Sequence, residues 1–476
     1  MKSILLFVLA VFFTAGTATA QCLTSLQSVG ELPSVFTQST FTVRKDKTGR
    51  PFMYVASKEG GLKIADISNP ALPVPIDTIP ASAFNGYHVI SLTQVDSQLY
   101  LALGNIYDTP AQGAAMAIID ISNPYNAFIT DTWYSPFPIG GCGAVEIEGS
   151  HAYLGGMYNG LIILDISDAN NVTWKSTYLP SMAYPHGVPP TDADSVKFNV
   201  RGIAVRNDTV FACFDRGGFR VIDVTNKTAP VQIAQFCNPS MVGFATAYNN
   251  VVLHEGLAYV AVDYQGIEVL DISTAGVVGL TGSWKGPSWP APTNNPFIWL
   301  AAEGHANELR YDEQQQLVYT ATGRGDLLVL DVSDPTQPDS CSFYGGVNNS
   351  IGTWGLDFSN DTVYLAYIVT AVPFSSNWTG IKIIAVNPAT AGLTEISNED
   401  MFIYPNPSQS TLTVHLPVGQ NLSVVELFDL SGKLINTPNI GSSQAIDVSG
   451  IHSGLYFVKA TDSSGRNYFA RCVVEK

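Results

Sequence analysis

Short apolar runs recur along the chain, and most end in an acidic residue with Ser or Thr two positions later. In six copies the acidic residue is kept, at Asp66, Asp120, Asp165, Asp223, Asp271 and Asp331. Successive aspartates are 54, 45, 58, 48 and 60 residues apart, and a degenerate seventh copy has Ala385 at this position. A period near fifty residues, rich in β-branched and turn-forming residues, predicts one four-stranded propeller blade per repeat.

An aromatic residue precedes each run on an upstream strand. These residues are Tyr54, Tyr100, Tyr153, Phe211, Tyr259, Tyr319 and Tyr364. In five repeats the aromatic precedes the Asp position by 12 residues, which predicts two antiparallel strands joined by a short turn. The second and seventh repeats have offsets of 20 and 21, which indicate insertions into that turn. We expect the aromatics to pack between blades and the aspartates to cap turns rather than to bind calcium.

These repeats predict an all-β chain in which residues 21–390 form a seven-bladed β-propeller. The segment 26–33 lies ahead of the first inner strand and has no local strand to pair with. It is expected to supply the outer strand of the last blade, because this removes an exposed sheet edge. Residues 391–396 are an alternative for the same position.

The repeat signature ends before residue 400. A linker is expected over 391–399, and residues 400–476 contain short alternating strands typical of a small β-sandwich.

The N-terminal segment and the composition bear on where the protein is located and on what it can bind. Residues 1–20 have the order of a secretory signal peptide: Lys2, an apolar run over 4–13, and Ala18-Thr19-Ala20. No later segment has the roughly 20 apolar residues that a membrane helix needs. A formal net charge of −17 disfavours binding to nucleic acid. The six cysteines include no C-x-x-C pair, so a structural zinc site is not expected.

Strand alternation places the longest insertions on one face of the propeller, together with residues at the starts of the inner strands. Aromatic and imidazole groups of these loops are candidate ligand contacts: His186, Trp284, Trp289, Trp299 and Trp378. A second group is expected at the mouth of the central channel: His88, Arg201, His305, Asn307 and Trp354. Calcium near Asp192 and Asp194 is the only cofactor that the sequence suggests.

Two classes of function follow from these candidates. The favoured one is a surface protein that binds a glycan, peptide or protein ligand through the elaborated face. The alternative is a secreted hydrolase or lyase with its centre at the channel mouth, where His and Arg could act as acid, base or anion ligand. Neither G-x-S-x-G nor H-E-x-x-H occurs in the sequence, and no residue is assigned a catalytic role.

Two families resemble parts of this sequence. The recurring apolar-Asp strand resembles the LVIVD repeat, found in β-propellers of bacterial and archaeal surface proteins, and implies an extracellular propeller but no activity. The C-terminal segment resembles the type A sorting domain of the type IX secretion system of Bacteroidota. The matching motifs are Tyr404-Pro405-Asn406-Pro407, Gly432-Lys433, and Gly454 with Tyr456. This resemblance implies that the secretion machinery is a partner and that the protein reaches the outer-membrane surface or the medium.

Overall fold

A computed structural model describes residues 24–35, 38–105, 110–137, 139–157, 159–189, 198–242, 244, 246–286, 305–323, 325–345, 352–369, 378–388, 401–416, 421–429, 433–436, 445–463 and 467–476. In these residues the structure is all-β, apart from three short 3-10 helices at Ala81–Phe84, Pro124–Asn126 and Pro239–Met241. No helix among them is long and apolar enough to cross a membrane. The predicted signal peptide lies outside these residues.

Seven four-stranded sheets form the propeller in the described part of residues 24–388. Blade 1 contains β2 (Thr42–Lys45), β3 (Phe52–Ala56), β4 (Leu62–Asp66) and β5 (Val74–Ile79). Blade 2 contains β6 (Val89–Val95), β7 (Gln98–Leu103), β8 (Ala115–Asp120) and β9 (Phe128–Tyr134). Blade 3 contains β10 (Ala144–Glu148), β11 (His151–Gly155), β12 (Leu161–Asp165) and β13 (Thr173–Tyr178).

The remaining blades continue the same order. Blade 4 contains β14 (Gly202–Arg206), β15 (Thr209–Cys213), β16 (Phe219–Asp223) and β17 (Val231–Phe236). Blade 5 contains β18 (Ala247–His254), β19 (Leu257–Asp263), β20 (Gly266–Asp271) and β21 (Gly279–Lys285). Blade 6 contains β22 (Leu309–Asp312), β23 (Leu317–Ala321), β24 (Leu327–Asp331) and β25 (Asp339–Tyr344). Blade 7 contains β26 (Thr353–Ser359), β27 (Thr362–Tyr367), β28 (Gly380–Pro388) and the N-terminal strand β1 (Thr24–Pro33).

The third strand of each blade carries the apolar run. In β12 and β24 every residue is buried except the terminal aspartate, because both faces of the strand pack inside the propeller. Each signature aspartate accepts a hydrogen bond from the backbone N–H two residues later, at 2.7–2.9 Å, which confirms the predicted turn caps. The signature therefore combines a buried strand with the turn that ends it.

The aromatic residue of each second strand is buried, as predicted. Each of the seven belongs to an apolar cluster that its own blade shares with the next one. For example, Tyr54 of blade 1 packs with Leu99 and Leu101 of blade 2. The repeated aromatic therefore fills the space between neighbouring blades.

The first and last strands of the propeller join in one sheet. β1 pairs with β28 in antiparallel register from Thr24↔Pro388 to Pro33↔Gly380. Blade 7 therefore combines strands from both ends of the repeat region, and the closing strand that the sequence favoured is present. The alternative strand, 391–396, lies outside the described residues.

Successive blades are also joined near the channel by short backbone bridges. The turn after the second strand of one blade pairs with the beginning of the next inner strand in four places: Lys58↔Val89, Met157↔Val200, Asp215↔Tyr248 and Gly323↔Thr353. In each case the turn residue has a positive φ. This turn therefore brings its central residue, and in three of the four blades a side chain, to the beginning of the next inner strand.

The second compact unit spans residues 389–476, and the first ends at Pro388. Its strands are β29 (Phe402–Tyr404), β30 (Thr411–His415), β31 (Leu422–Phe428), β32 (Leu434–Asn436), β33 (Ala445–Asp447), β34 (Gly454–Asp462) and β35 (Asn467–Val474). They form sheets in the orders β29-β30-β33 and β32-β31-β34-β35. Apolar residues of both sheets, such as Leu412 and Val425, share one core, as in a small sandwich.

The cysteines divide into two groups. Cys142, Cys213, Cys237 and Cys472 are free and buried, whereas Cys341 is in a disulfide. The remaining cysteine of the chain, Cys22, lies outside the described residues.

Candidate functional site

A central cavity of about 940 Å³ runs between the blades. All seven innermost strands contribute to its wall, with residues such as Arg44 of β2, Glu146 of β10 and Arg310 of β22. The inner strands all begin at one face of the propeller, which we call the loop face. Turns between second and third strands lie at this same face, so both kinds of segment surround the cavity mouth.

Arg201 and Asp215 form an ion pair at the mouth. Arg201 directly precedes β14, and Asp215 follows β15 of the same blade. Nε of Arg201 donates to Oδ2 of Asp215 at 3.0 Å, and Nδ2 of Asn199 donates to the same oxygen at 3.2 Å. Burial raises the pKa of Asp215, although Arg201 favours its ionised form. The carboxylate is thus fixed in the wall by two donors.

Asp263 and His305 form a second pair beside the first. Nδ1 of His305, which is fully buried, contacts Oδ1 of Asp263. The backbone N–H of Tyr264 donates to the same oxygen at 2.8 Å. Gly323 lies against the other side of the imidazole, where an added Cβ would be 2.3 Å from Cδ2 of His305. The imidazole is therefore held between a carboxylate and a glycine backbone.

An aromatic group occupies another part of the cavity wall. Phe41, Tyr264 and Trp354 are half-buried and pack against the buried Ile368. The ring centroids of Phe41 and Trp354 are 5.5 Å apart, at an interplanar angle of 55°. Because all four residues line the cavity, they provide an apolar surface beside the carboxylates. We call Phe41, Tyr264 and Trp354 the aromatic wall.

A network of charges lines the cavity across the seam where the ring closes. Oε1 of Glu308 accepts from Arg44 at 2.6 Å and from Arg310 at 2.9 Å, and Arg310 donates to Asp357 at 3.1 Å. These residues belong to blades 1, 6 and 7 or directly precede their inner strands. Burial disfavours ionisation of Glu308, but Arg44 and Arg310 outweigh it and lower the pKa. The network therefore joins the composite blade to both of its neighbours.

Two amides near the mouth also join blades. Nδ2 of Asn249 donates to the carbonyl of Ala306 in the next blade, and Nδ2 of Asn307 donates to the carbonyl of Thr353, each at 2.9 Å. Both asparagines contribute to the cavity wall.

Three of the five residues predicted at the channel mouth line the cavity: Arg201, Asn307 and Trp354. His305 is fully buried and contacts the cavity wall through Asp263. His88 belongs to the beginning of blade 2 and is not among the lining residues; its N–H donates to Gln112 at 3.1 Å. The two histidines thus lie on different blades and neither forms part of the described wall.

Among the loop candidates in the described residues, two tryptophans pack against the blades. Trp284 is buried between blades 5 and 6, and the ring of Trp378 lies 5.1 Å from that of Tyr367. His186 is exposed and lies edge-on to Phe198 at 6.4 Å. Trp289 and Trp299 lie outside the described residues, as do Asp192 and Asp194. Within the described residues no group of three His, Cys, Asp or Glu is arranged to hold a metal ion.

The loop that carries His186 is anchored by a buried arginine. Nη2 of Arg220 donates to the carbonyls of Ser181 and Tyr184 at 3.2 and 3.3 Å, and its guanidinium lies 5.0 Å from the Tyr184 ring. Because Arg220 is fully buried, these contacts fix the beginning of the loop against blade 4.

Asp215, Asp263 and Tyr264 line the cavity but were not among the residues predicted from the sequence. A periodic signal for the aspartates was present: each precedes the signature glycine of its blade, Gly218 or Gly266, by three residues. Lys58 and Met157 occupy the same position in other repeats and also line the cavity. This column could have identified one side of the mouth.

The motif residues of the C-terminal unit make local structural contacts. Asn406 donates to the carbonyl of Arg471 at 2.9 Å and accepts from the N–H of Val473 at 2.8 Å, so the segment Tyr404-Pro405-Asn406-Pro407 is tied to β35. Tyr404 is exposed, and its hydroxyl is 3.0 Å from Nε2 of His415.

The other motif positions lie at turns and strand ends. The N–H of Lys433 donates to Asp429 at 3.0 Å, the hydroxyl of Tyr456 donates to the carbonyl of His452 at 2.9 Å, and Gly454 begins β34. Gly432 lies outside the described residues.

Comparison with protein families matches both parts of the chain. The LVIVD repeat matches residues 51–77, 111–128, 139–179, 247–285 and 316–344. The secretion system C-terminal sorting domain matches residues 402–475. The comparison with curated proteins gave no match.

Solved structures with a similar fold share little sequence with this chain. The β-propeller domain of Cps50 (Swd1) from Myceliophteria thermophila has 12% identity and a TM-score of 0.52, over 76% of this chain and all of that one (100%). A chain of the mitotic checkpoint complex has 11% identity and a TM-score of 0.49, over 81% and 98%. The computationally designed Ika8 protein has 10% identity and a TM-score of 0.46, over 75% and 99%. The likeness to the Cps50 domain supports the propeller fold alone.

Proposed function

We propose that this LVIVD-repeat β-propeller with a C-terminal sorting domain is a secreted or surface protein. In this proposal it binds an extracellular ligand at the mouth of its central cavity, on the loop face. The sorting domain makes it a protein exported by a dedicated secretion system. The ligand-binding role, the surface attachment and the removal of a signal peptide are parts of the proposal.

One observation carries the binding role: the mouth combines an aromatic wall with fixed polar groups in a single cavity. Small-molecule sites typically occupy ~300–1,000 Å³ and contain a few oriented polar groups within an apolar lining. The cavity of about 940 Å³, with Trp354, Arg201 and Asp215 in its wall, has this character. Its position at the face with the longest insertions favours contact with a ligand over a purely structural role.

The positions of the two candidate histidines favour binding over the hydrolase or lyase alternative. A general acid or base must come within hydrogen-bond reach of its substrate. His305 is fully buried against Asp263, and His88 is not among the cavity-lining residues. Asp215 is held in the wall by Arg201 and Asn199, which suits it to orient a ligand.

The test compares two tryptophans of the full mature chain. Wild type, Trp354→Ala and Trp174→Ala would be screened on an array of glycans and peptides, with the melting temperature measured for each. Trp174 is a matched control, because it is 56% exposed on the outer strand β13.

Loss of array binding by Trp354→Ala alone, with melting temperature retained, is the expected result. If Trp354→Ala unfolds, Trp354→Phe and Tyr264→Ala replace it. Equal binding by these variants and wild type would reject the mouth as the site.

A further inference from the structure

We infer that the cavity mouth binds a neutral carbohydrate, with a sugar ring packed on the aromatic wall and its hydroxyl groups bonded to Asp215 and Asp263. This inference rests on the proposed function and specifies the class of ligand.

The charged groups at the mouth already have partners within the protein. Asp215 forms an ion pair with Arg201, Nδ1 of His305 contacts Asp263, and Lys58 forms an ion pair with Glu59 at 2.6 Å. A charged ligand would have to compete with these built-in partners and would lose its own hydration on entering the cavity. An uncharged ligand with many hydroxyl groups competes less with these partners and loses less hydration free energy. The built-in partners therefore favour a neutral polar ligand.

Within the described residues, each carboxylate has one oxygen that could accept from a ligand. The two donors to Asp215 bind Oδ2, and the two contacts of Asp263 involve Oδ1. Among the described residues, neither Oδ1 of Asp215 nor Oδ2 of Asp263 accepts a hydrogen bond. A carboxylate offers about four acceptor positions and no donor when it is ionised. These oxygens therefore suit ligand O–H groups, which sugars present around the ring.

The aromatic wall supplies the second half of the recognition. Sugar rings have faces of C–H groups that pack on aromatic side chains, and Trp and Tyr provide such surfaces beside polar groups. Trp354 and Phe41 are tilted by 55°, so their faces form a corner rather than a flat plate. Tyr264 belongs to the same apolar cluster and directly follows Asp263, so one turn provides both a carboxylate and a ring.

The position of Tyr264 depends on an unusual backbone conformation. Its φ is +70°, a region that residues other than glycine seldom adopt and that costs of order 1–3 kcal/mol. Such strain persists where the surrounding structure holds it in place. Here the N–H of Tyr264 is bonded to Asp263, and its ring packs on Ile368 of blade 7. The strained turn therefore places the side chain of Tyr264, from blade 5, within the aromatic wall.

The test is calorimetric titration of the full mature chain with three panels at low and high salt. The panels are neutral hexose and N-acetylhexosamine oligosaccharides, the same sugars bearing uronic acids or sulfate, and tripeptides of varied charge. Affinity for neutral oligosaccharides that changes less than about twofold between 50 and 500 mM salt is expected, since salt screens only charge–charge interactions.

Variants connect the affinity to the named groups. Asp215→Asn, which keeps the side-chain shape, and Trp354→Ala should each lower affinity for the neutral sugar at least tenfold, while Trp174→Ala should not change it. Binding of charged sugars or tripeptides only would overturn this inference and leave the proposed function standing. If wild type, Asp215→Asn and Trp354→Ala all bind neutral sugars with the same affinity, the assignment of the site is wrong. No binding of any panel, together with an empty glycan and peptide array, would reject the proposed function as well.

Discussion

Nε of Arg201 lies 3.0 Å from Oδ2 of Asp215, so the residue before an inner strand neutralises a carboxylate from the turn of its own blade. The side chain of Asp215 is 6% exposed and that of Arg201 is 20% exposed. This pair fixes the polar side of the cavity mouth.

Removal of one partner should therefore cost more than removal of both. We expect Arg201→Met to lower the free energy of unfolding by about 1–3 kcal/mol, because it leaves Asp215 buried with only Asn199 as a side-chain donor. Arg201→Met combined with Asp215→Asn should recover a large part of that loss. Chemical denaturation of the single and double variants measures this coupling. Strictly additive effects would contradict a stabilising pair.

The second prediction concerns the glycine behind His305. Gly323 and Gly149 both have a φ of +58°, but an added Cβ would meet His305 at 2.3 Å in the first case and nothing within 4 Å in the second. Gly323→Ala should therefore cost about 1–3 kcal/mol more than Gly149→Ala, because only the former must displace the buried imidazole. Thermal and urea unfolding of the two variants makes the comparison. Equal losses would mean that backbone conformation alone decides the effect.

The third prediction tests closure of the ring by β1. Deletion of residues 22–35 should lower the melting temperature strongly, since it uncovers β28 and the buried side chains of Ile384 and Val386. A deletion variant as stable as the parent would show that β1 does not stabilise the ring.

Two glycines on outer strands test the same closure without a deletion. An added Cβ at Gly30 of β1 would lie 1.9 Å from the carbonyl oxygen of Pro70, whereas at Gly279 of β21 it would meet nothing within 4 Å. Gly30→Ala should destabilise the protein by about 1–3 kcal/mol, and Gly279→Ala by much less. Equal melting temperatures would indicate that β1 does not pack against blade 1.

Some repeat positions could be interpreted from the sequence, and others could not. The positions of Tyr153 and Asp165 are filled by similar residues in most repeats, 12 residues apart in five of them. This periodicity alone identified the capped strand and the aromatic residue between blades. Asp215 and Asp263 also occupy a fixed position in their repeats, but other repeats have Lys58 and Met157 there, so no shared residue type marked the position. A structure was needed to show that this position lies at the channel.

The aromatic candidates show a different limit. Trp284 and Trp354 both lie next to apolar strands in the sequence, but the first is buried between blades and the second lines the cavity. Which way an aromatic side chain faces depends on register with the neighbouring blade, and residue type carries no information about it. Tyr264 was missed for a related reason, since only its positive φ extends it to blade 7.

The fourth prediction concerns the C-terminal unit. Because residues 389–476 form their own compact unit with their own core, a chain that ends at Pro388 should fold with an unchanged melting transition for the propeller. It should remain inside the outer membrane, since the sorting domain is missing. Cell fractionation of both forms measures this. Surface delivery of the shortened chain would contradict a sorting role for the domain.

The most direct test of the cavity mouth as a ligand site is fluorine NMR of the full mature chain labelled with 5-fluorotryptophan. The seven tryptophans give separate probes, and the Trp354→Phe and Trp174→Phe variants assign two of them. The probe ligand is the neutral oligosaccharide that binds tightest in the titrations. If the ligand binds at the mouth, the Trp354 resonance should shift saturably, with a midpoint equal to the calorimetric dissociation constant, while the Trp174 resonance stays in place. Saturating calorimetric binding with the Trp354 resonance unmoved would contradict binding at the mouth.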